Sequence, residues 1–458
     1  MLKTIKKIIP PDFFFRLQYH KTRAILAAYR YRFPSRKMTV IGVTGTDGKT
    51  TTCNMLFEIL RQAGHKPAMA STINFRIGEK EWRNETKKTT LAPKKLQKFI
   101  RQAVDEKCDF LIVETSSHAL SQNRVWGIDY DTAVITNTSH EHLDYHRTMD
   151  RYRREKRKLF EKLARGKHKS GVQKLSILNV QDETYEDFRQ VQADAVWTYG
   201  LGDEHSRLQT AREETLAAQK DKPMVSAKNS QLRSDGSSFV LTAPTGEIAI
   251  DLWLPGEFNI ENALCAATVG LAQGVDLATI KEALGGIKVM PGRMENIDMG
   301  QKFAVILDYA VTPKALEKLY STMSKVPHGK IIAVLGACGD RDKKKRPVMG
   351  ELAAKYCDLV IFTDEDPYTE DPQRIIDMLI SKLPDIGKQE GKDYLQIIDR
   401  RQAIARALSE ASEDDIVLIT GKGDETGYMV GDKILPWDER EIVREELGKI
   451  VNSGKYKV

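Results

Sequence analysis

Two α/β domains on mostly parallel sheets are expected for this chain, and three observations carry that expectation. Short apolar, β-branched runs alternate with helical patterns over most of the 458 residues. A glycine-containing turn joins the first such run to the first helix, and a second series of runs starts beyond Pro291-Gly292. At roughly 100–200 residues per domain, a chain of this length divides into two or three units with clefts between them.

The first element is a strand over 38–44, followed by a turn and a helix over 51–63 that Gly64 closes. A helix over about 96–106 leads into a buried-type strand at 110–113, and 131–136 reads as a third strand. Strands separated by helices pair in parallel, with helices covering both faces. Residues 165–250 are more polar and rich in short strand signals, and Pro255-Gly256 and Pro291-Gly292 bracket an alanine-rich helix. Further on, the runs 303–307, 331–335, 359–362 and 416–419 alternate with helical patterns, which predicts a separate Rossmann-like, doubly wound domain. The expected boundaries are a basic segment at 1–37, a central domain at 38–291 and a C-terminal domain at 292–458.

With 41% hydrophobic and 29% charged residues and only 16 prolines, the composition is that of a globular protein and not of a disordered one. Five scattered cysteines without a C-x-x-C pair suggest neither a zinc site nor a disulfide framework, and fit a reducing cytoplasm. The net charge is +7, yet residues 1–37 alone hold ten Lys or Arg against Asp12, a net +9, so the remainder is close to neutral. No nucleic-acid reading element accompanies that charge, and nucleic acid is not an expected partner. In the same segment Phe13, Phe14, Phe15, Leu17, Ile25, Leu26, Tyr29 and Tyr31 alternate with basic residues. That pattern suits an amphipathic helix lying on an anionic membrane face, or equally a helix packed on the next domain with its charges in water.

The sharpest chemical signal is Gly42-Val-Thr-Gly45-Thr46-Asp47-Gly48-Lys49-Thr50-Thr51-Thr52, between a strand and a helix. Glycines admit backbone N–H groups to phosphate oxygens, Lys49 can reach terminal phosphates, and the Thr50 hydroxyl can bind Mg2+ at the helix N-terminus. The strict P-loop pattern fails at its first glycine. Glu114 ends a strand ahead of Thr115-Ser116-Ser117-His118, a place where a carboxylate can hold Mg2+. Thr136-Asn137-Thr-Ser-His140-Glu141-His142-Leu-Asp-Tyr-His146 also follows a strand and gathers three of the nine histidines within seven residues. Without cysteines or H-E-x-x-H, oxygen ligands and one imidazole on Mg2+ fit this cluster better than zinc.

Taken in order, Gly45-Thr-Asp-Gly-Lys-Thr50, Glu114-x-Ser-Ser-His-Ala-Leu120, Thr136-Asn137 with His142-Leu-Asp-Tyr-His146, Gly256-x-Phe-Asn-x-x-Asn262, Pro291-Gly-Arg-Met-Glu295, Asp308-Tyr-Ala-x-Thr-Pro313, Gly339-Asp-Arg-Asp342 with Lys345-Arg-Pro347, and Gly421-Lys-Gly-x-Glu425 resemble the Mur ligase superfamily. The spacing is most similar to the UDP-N-acetylmuramoyl-tripeptide synthetases, and the similarity spans residues 38–458. The resemblance implies a cytoplasmic, ATP- and Mg2+-dependent ligase. It would activate the carboxylate of a muramoyl-dipeptide-type acceptor as an acyl phosphate and join it to a diamino acid, for cell-wall synthesis.

Residue by residue, the resemblance implies that Gly45, Thr46, Asp47, Gly48, Lys49, Thr50, Thr51, Asn262, Arg293 and Asp308 surround ATP. Thr50, Glu114, His142 and Lys156, the last as a carbamate, would hold metal, with Asn137 beside them. Read without the resemblance, Lys156 is one of a run of solvated charges. Thr89, Thr90, Ser116 and Arg124 would contact the acceptor, and Arg341, Asp366, Tyr368, Gly421 and Glu425 the amine.

Several positions depart from the family pattern: Asp47 stands for the usual Asn, Glu141 for Asp and Val311 for His. The Asp-Asn-Pro-Arg motif of diaminopimelate-adding enzymes is here Glu365-Asp366-Pro367-Tyr368, without its arginine. Tyr368 cannot form a bidentate pair with a distal carboxylate, and Glu365, Asp366 and Asp424 add acid, so L-lysine is expected over diaminopimelate. Only 37 residues precede the first strand, so the uridine-nucleotide-binding domain of the group is expected to be missing. Other readings are a folylpolyglutamate synthase or cyanophycin-type ligase, which the Gly48-Lys49-Thr50-Thr51 loop disfavours, or a non-catalytic nucleotide-binding partner subunit.

Overall fold

A computed structural model describes residues 14–84, 86, 88–139, 143–202, 224–233 and 235–452. The chain forms two compact units, one of residues 1–230, 238–251 and 258–287, the other of 288–458 with the short segments 231–237 and 252–257.

The large sheet holds β1 (Thr39–Thr44), β2 (Pro67–Ala70), β3 (Asn74–Ile77), β4 (Lys80–Arg83), β5 (Phe110–Glu114), β6 (Thr132–Ile135), β7 (Leu175–Asn179), β8 (Ala195–Leu201), β9 (Val225–Leu232), β10 (Ser237–Ala243) and β11 (Gly246–Leu252). Its strand order is β11-β10-β9-β8-β7-β6-β1-β5-β2-β3-β4. From β9 to β2 the neighbours run parallel, whereas β2, β3 and β4 form an antiparallel meander at one edge. Central strands such as β1 and β5 are buried at nearly every position because helices cover both faces, and Val40, Ile41, Leu111 and Ile112 are all fully buried.

The helix Lys49–Gln62 begins two residues before the expected start, because Gly48 at φ 78° sets the turn immediately ahead of Lys49. Likewise Pro93 opens the helix Pro93–Asp105 as its first residue, and Leu96, Phe99, Ile100 and Ala103 on one face enter the core. Below the sheet Asp131, fully buried, accepts from the Val40 amide at 2.8 Å and pairs with Lys174 at 3.2 Å and with Lys169, which pins the start of β1.

The helix Phe14–Arg30 confirms the helical reading of the basic segment over the described residues; residues 1–13 lie outside them. Ala24, Ala27 and Ala28 are buried, so small side chains let this helix pack closely, while Tyr19, Leu26 and Tyr29 are exposed beside Lys21, Arg23 and Arg30.

The second unit is a six-stranded sheet of β12 (Glu295–Asn296), β13 (Ala304–Asp308), β14 (Ile331–Leu335), β15 (Leu359–Phe362), β16 (Tyr394–Gln396) and β17 (Ile416–Thr420) in the order β12-β13-β17-β14-β15-β16. All neighbours but β12 and β13 are parallel, and helices cross between them, as the alternation of apolar runs requires. Arg400 and Glu439 form a buried ion pair in this unit, and Arg400 also donates to the Thr420 carbonyl at 2.7 Å.

Candidate active site

Because β6, β1, β5 and β2 are neighbours in the sheet, the loops that leave their carboxyl ends converge on one place. Glu114, at the end of β5, is 1% exposed and is ringed by hydroxyl and amide donors. The Thr50 hydroxyl stands 3.1 and 3.0 Å from its two oxygens, the Thr72 amide donates at 2.7 Å and the Thr72 hydroxyl at 2.8 Å. Thr72, in the loop after β2, was not foreseen; its signal was a hydroxyl placed just past a strand end.

The phosphate loop is held from several sides. Asn137 receives the Asp47 amide at 3.0 Å on its side-chain oxygen and returns its own amide to the Asp47 carbonyl at 3.2 Å, while Thr136 Oγ1 donates to that carbonyl at 2.6 Å. Asp47 thus fills its place through its backbone, and its difference from the family's Asn leaves these bonds intact. Lys49 Nζ donates to the Thr46 carbonyl at 2.7 Å and curls over the loop. A Cβ on Gly48 would lie 2.1 Å from Asn262 Oδ1, so glycine is required both for the positive φ and for the approach of Asn262. Thr51 is buried within the helix that the loop starts.

Lys156, 1% exposed on the helix Met149–Arg165, corrects the reading of that lysine as a solvated charge. The helix turns it inward, with Nζ 4.3 Å from the centroid of the Tyr152 ring, and the Tyr152 hydroxyl lies 3.0 Å from Thr46 Oγ1. Lys156 and the phosphate loop therefore meet through Tyr152. His142, expected as a metal ligand, lies outside the described residues, as do His140 and Glu141. Asp182, also unforeseen, accepts from the Thr138 and Thr184 amides and anchors the loop after β6.

The residues that the resemblance assigns to the acceptor lie close together. Thr90 Oγ1 donates to the Glu114 carbonyl at 2.9 Å and receives the Ser116 amide at 3.0 Å, and Arg124 Nη1 donates to the Thr90 carbonyl at 3.2 Å. Thr89 precedes this knot, half-buried. Gln122 orients the Arg124 guanidinium through bonds of 2.9 and 2.6 Å to Oε1, and burial pulls the arginine below its ordinary pKa.

In the second unit Asp308 Oδ2 accepts from the Met294 amide at 2.8 Å, and the Arg293 guanidinium lies 4.4 Å from the Tyr309 ring. The Gly421 amide bonds to the Asp308 carbonyl at 3.1 Å, which joins these residues to the turn after β17.

The carboxylates expected near the amine are partly compensated. Lys422, buried and unforeseen although it stands inside the Gly421-Lys-Gly motif, donates to Asp366 Oδ1 at 2.9 Å, to Glu425 Oε2 at 3.0 Å and to the Gly427 carbonyl at 2.6 Å. The Met429 amide adds a further bond to Asp366 at 2.7 Å. Glu365 is buried against Cys338, whose thiol donates at 3.1 Å, and burial raises the pKa of its carboxyl. Arg341, meanwhile, lies 5.3 Å over the Tyr368 ring with Nη2 3.5 Å from the tyrosine hydroxyl. Asp366, expected as open charge, is thus paired with a buried cation.

Comparison with known proteins gives the family. The Mur ligase middle domain matches residues 43–270 and the Mur ligase, glutamate ligase domain matches residues 292–423. The chain is 37% identical over 433 residues to the UDP-N-acetylmuramoyl-L-alanyl-D-glutamate–2,6-diaminopimelate ligase of Bacillus cereus, covering 94% of this chain and 83% of that protein. It is 38% identical over 439 residues to the UDP-N-acetylmuramyl-tripeptide synthetase of a Roseiflexus species, covering 94% and 82%. A solved UDP-N-acetylmuramoyl-L-alanyl-D-glutamate–2,6-diaminopimelate ligase superposes with a TM-score of 0.63 at 27% identity, covering 94% of this chain and 83% of that one. The two family matches together cover most of the residues from 43 to 423, and the chain belongs to the Mur ligase family of ATP-dependent, amide-forming ligases.

Proposed function

We propose that this ligase joins a diamino acid to the free carboxylate of a muramoyl-dipeptide acceptor during peptidoglycan precursor synthesis. The observation that carries this reading is Glu114 with its Thr50 and Thr72 donors at the mouth of the phosphate loop, beside the Thr90–Ser116–Arg124 knot. The donor set is all oxygen and fits a hard divalent cation, so Thr50 and Glu114 are proposed to hold Mg2+. When bound, that ion supplies neutralising charge to the phosphates.

An acceptor carboxylate oriented by Arg124 attacks the γ-phosphorus, the bond to ADP breaks, and an acyl phosphate forms. Lys49 offsets negative charge as it spreads over the phosphoryl oxygens. The lone pair of a neutral amine then attacks the acyl carbon; phosphate leaves, and the amine loses one proton as the amide forms. Most of the catalysis is positioning and charge stabilisation. Phosphate release by the purified protein that depends on both acceptor and amine tests the reading, and release independent of the amine would refute it.

The amine proposed is meso-diaminopimelate. Arg341 offers a guanidinium beside the Tyr368 hydroxyl, two donors for a distal carboxylate, and Lys422, bonded to Asp366 and Glu425, offsets part of the negative charge that would favour lysine. The relative from Bacillus cereus is itself named a 2,6-diaminopimelate ligase. With both amines at equal concentration, diaminopimelate is expected to exceed lysine in the product by about tenfold or more, since lysine lacks the carboxylate that would pair with Arg341 and hydrogen bonds to charged groups contribute about 1.5–3 kcal/mol. Predominant lysine in the product, read by mass spectrometry, would overturn this choice.

The helix Phe14–Arg30 is proposed to rest on an anionic lipid surface. Its exposed Tyr19, Leu26 and Tyr29 stand among Lys21, Arg23 and Arg30, and each basic residue near such a surface contributes about 1 kcal/mol. The protein should sediment with phosphatidylserine-containing vesicles at low salt and be released at high salt, and Leu26→Ser with Tyr29→Ser should weaken the binding. Equal recovery with neutral and anionic vesicles leaves the helix as a packing element only.

A further inference from the structure

Two backbone segments carry the proposed amine site, residues 339–341 and 366–368, and the inference below rests on that assignment. They are pressed together: a Cβ on Gly339 would lie 1.8 Å from the Pro367 carbonyl oxygen, and the Gly339 amide bonds to the Asp366 carbonyl at 2.9 Å. Three non-glycine residues here occupy the left-handed region, Asp340 at φ 52°, Asp366 at φ 46° and Tyr368 at φ 51°. Such conformations persist only where the surroundings over-determine them.

Glu370 supplies that constraint. Its Oε1 accepts from the Asp340 amide at 2.7 Å, and both its oxygens accept from Arg346, at 3.0 Å each. Arg346 is fully buried and also donates to the Cys338 carbonyl at 3.0 Å, so one guanidinium holds both the residue before Gly339 and the residue that seats Asp340. Beside it the Thr369 hydroxyl donates to Asp340 Oδ1 at 2.8 Å. The hydrogen bonds from Arg346 hold the Glu370 carboxyl down at about 2, so it is ionised throughout the working pH range.

We propose that Glu370, clamped by Arg346, is a positioning residue for the amine substrate: it fixes the Asp340 backbone so that Arg341 stands over Tyr368 in the geometry that receives the distal carboxylate. A planar guanidinium binds a carboxylate bidentately only when its direction is set, and Arg341 is exposed on a loop with its side chain against Tyr368, so its direction depends on how the backbone before it is held. Glu370 touches no substrate in this scheme and acts through Arg341.

Steady-state kinetics on the full chain test this. Glu370→Gln should raise the KM for diaminopimelate about tenfold, with kcat at saturating amine within about threefold and the KM values for ATP and acceptor unchanged. Thr369→Val, a milder cut of the same tie that keeps the buried pair, should raise the amine KM about threefold and serves if Glu370→Gln does not fold. Arg341→Ala should raise the amine KM as well, and adding Glu370→Gln to it should bring little more, because both changes remove one interaction. An unchanged amine KM in Thr369→Val and Glu370→Gln, or additive effects with Arg341→Ala, overturns the positioning role while the amine site stands. An unchanged amine KM in Arg341→Ala overturns the amine site itself, and the positioning role with it.

Discussion

Lys49→Ala is expected to lower turnover by about 100-fold or more while the protein stays folded. Lys49 donates a hydrogen bond to the Thr46 carbonyl, and losing one such bond costs about 1 kcal/mol against a typical stability of about 5–15 kcal/mol. The same side chain, aimed at phosphates, meets charge that develops as the γ-phosphoryl group transfers, where a missing stabiliser costs about 3–4 kcal/mol of barrier. The effect should therefore fall on kcat, with a thermal midpoint close to that of the parent. Phosphate release and melting curves on the same preparation check both halves. A folded variant with the parent's rate would remove Lys49 from the mechanism.

Lys156→Ala should be about as damaging, and it should be rescued in part by a short carboxylic acid. Lys156 is buried beside Tyr152, whose hydroxyl reaches Thr46 of the phosphate loop, so a change at this lysine is felt at the nucleotide. We propose that it functions as a carbamate. The ammonium first loses one proton, the neutral amine adds to CO2 and loses a second, and a cation becomes an anion with two oxygen acceptors, the kind of ligand a hard cation takes. Alanine removes those oxygens, and formate or acetate in the space left would restore some of them. Activity of the parent should also rise with bicarbonate. Full activity of a parent enzyme whose Lys156 carries no added CO2 by mass spectrometry would refute the carbamate, and failure of every small acid to rescue the variant would count against it.

Much of the fold was legible in the chain because its signals are local. Apolar runs at 331–335 and 359–362 became β14 and β15 with the same bounds, since strands buried on both faces show in sequence as unbroken apolar runs. Helix starts were less legible. The helix Lys49–Gln62 begins where Gly48 takes a positive φ, a property of the turn's conformation that the apolar period does not report.

The place of the phosphate-loop residues in the fold was legible for a related reason. Gly48, Lys49 and Thr50 lie in the turn and helix start after β1, Glu114 ends β5 and Asn137 lies just past β6, and the parallel order β6-β1-β5-β2 brings those strand ends together. A motif beside a strand end already carries its address in the fold. Lys156 did not, because inside a helix rich in Lys and Arg only the packed face separates a buried lysine from its solvated neighbours.

The sequence by itself determined the family chemistry: the phosphate loop, the carboxylate opposite it and the order of two α/β units. Tertiary structure decided the electrostatics of the amine site. Counting charges along the chain set Glu365, Asp366 and Asp424 against a missing arginine and favoured lysine. Folding places Lys422, 56 residues from Asp366 in sequence, within 2.9 Å of it, and lays Arg341 over Tyr368. The reason is physical: the effect of a charge depends on its distance to others and on how far both are withdrawn from water, and neither is a property of sequence spacing.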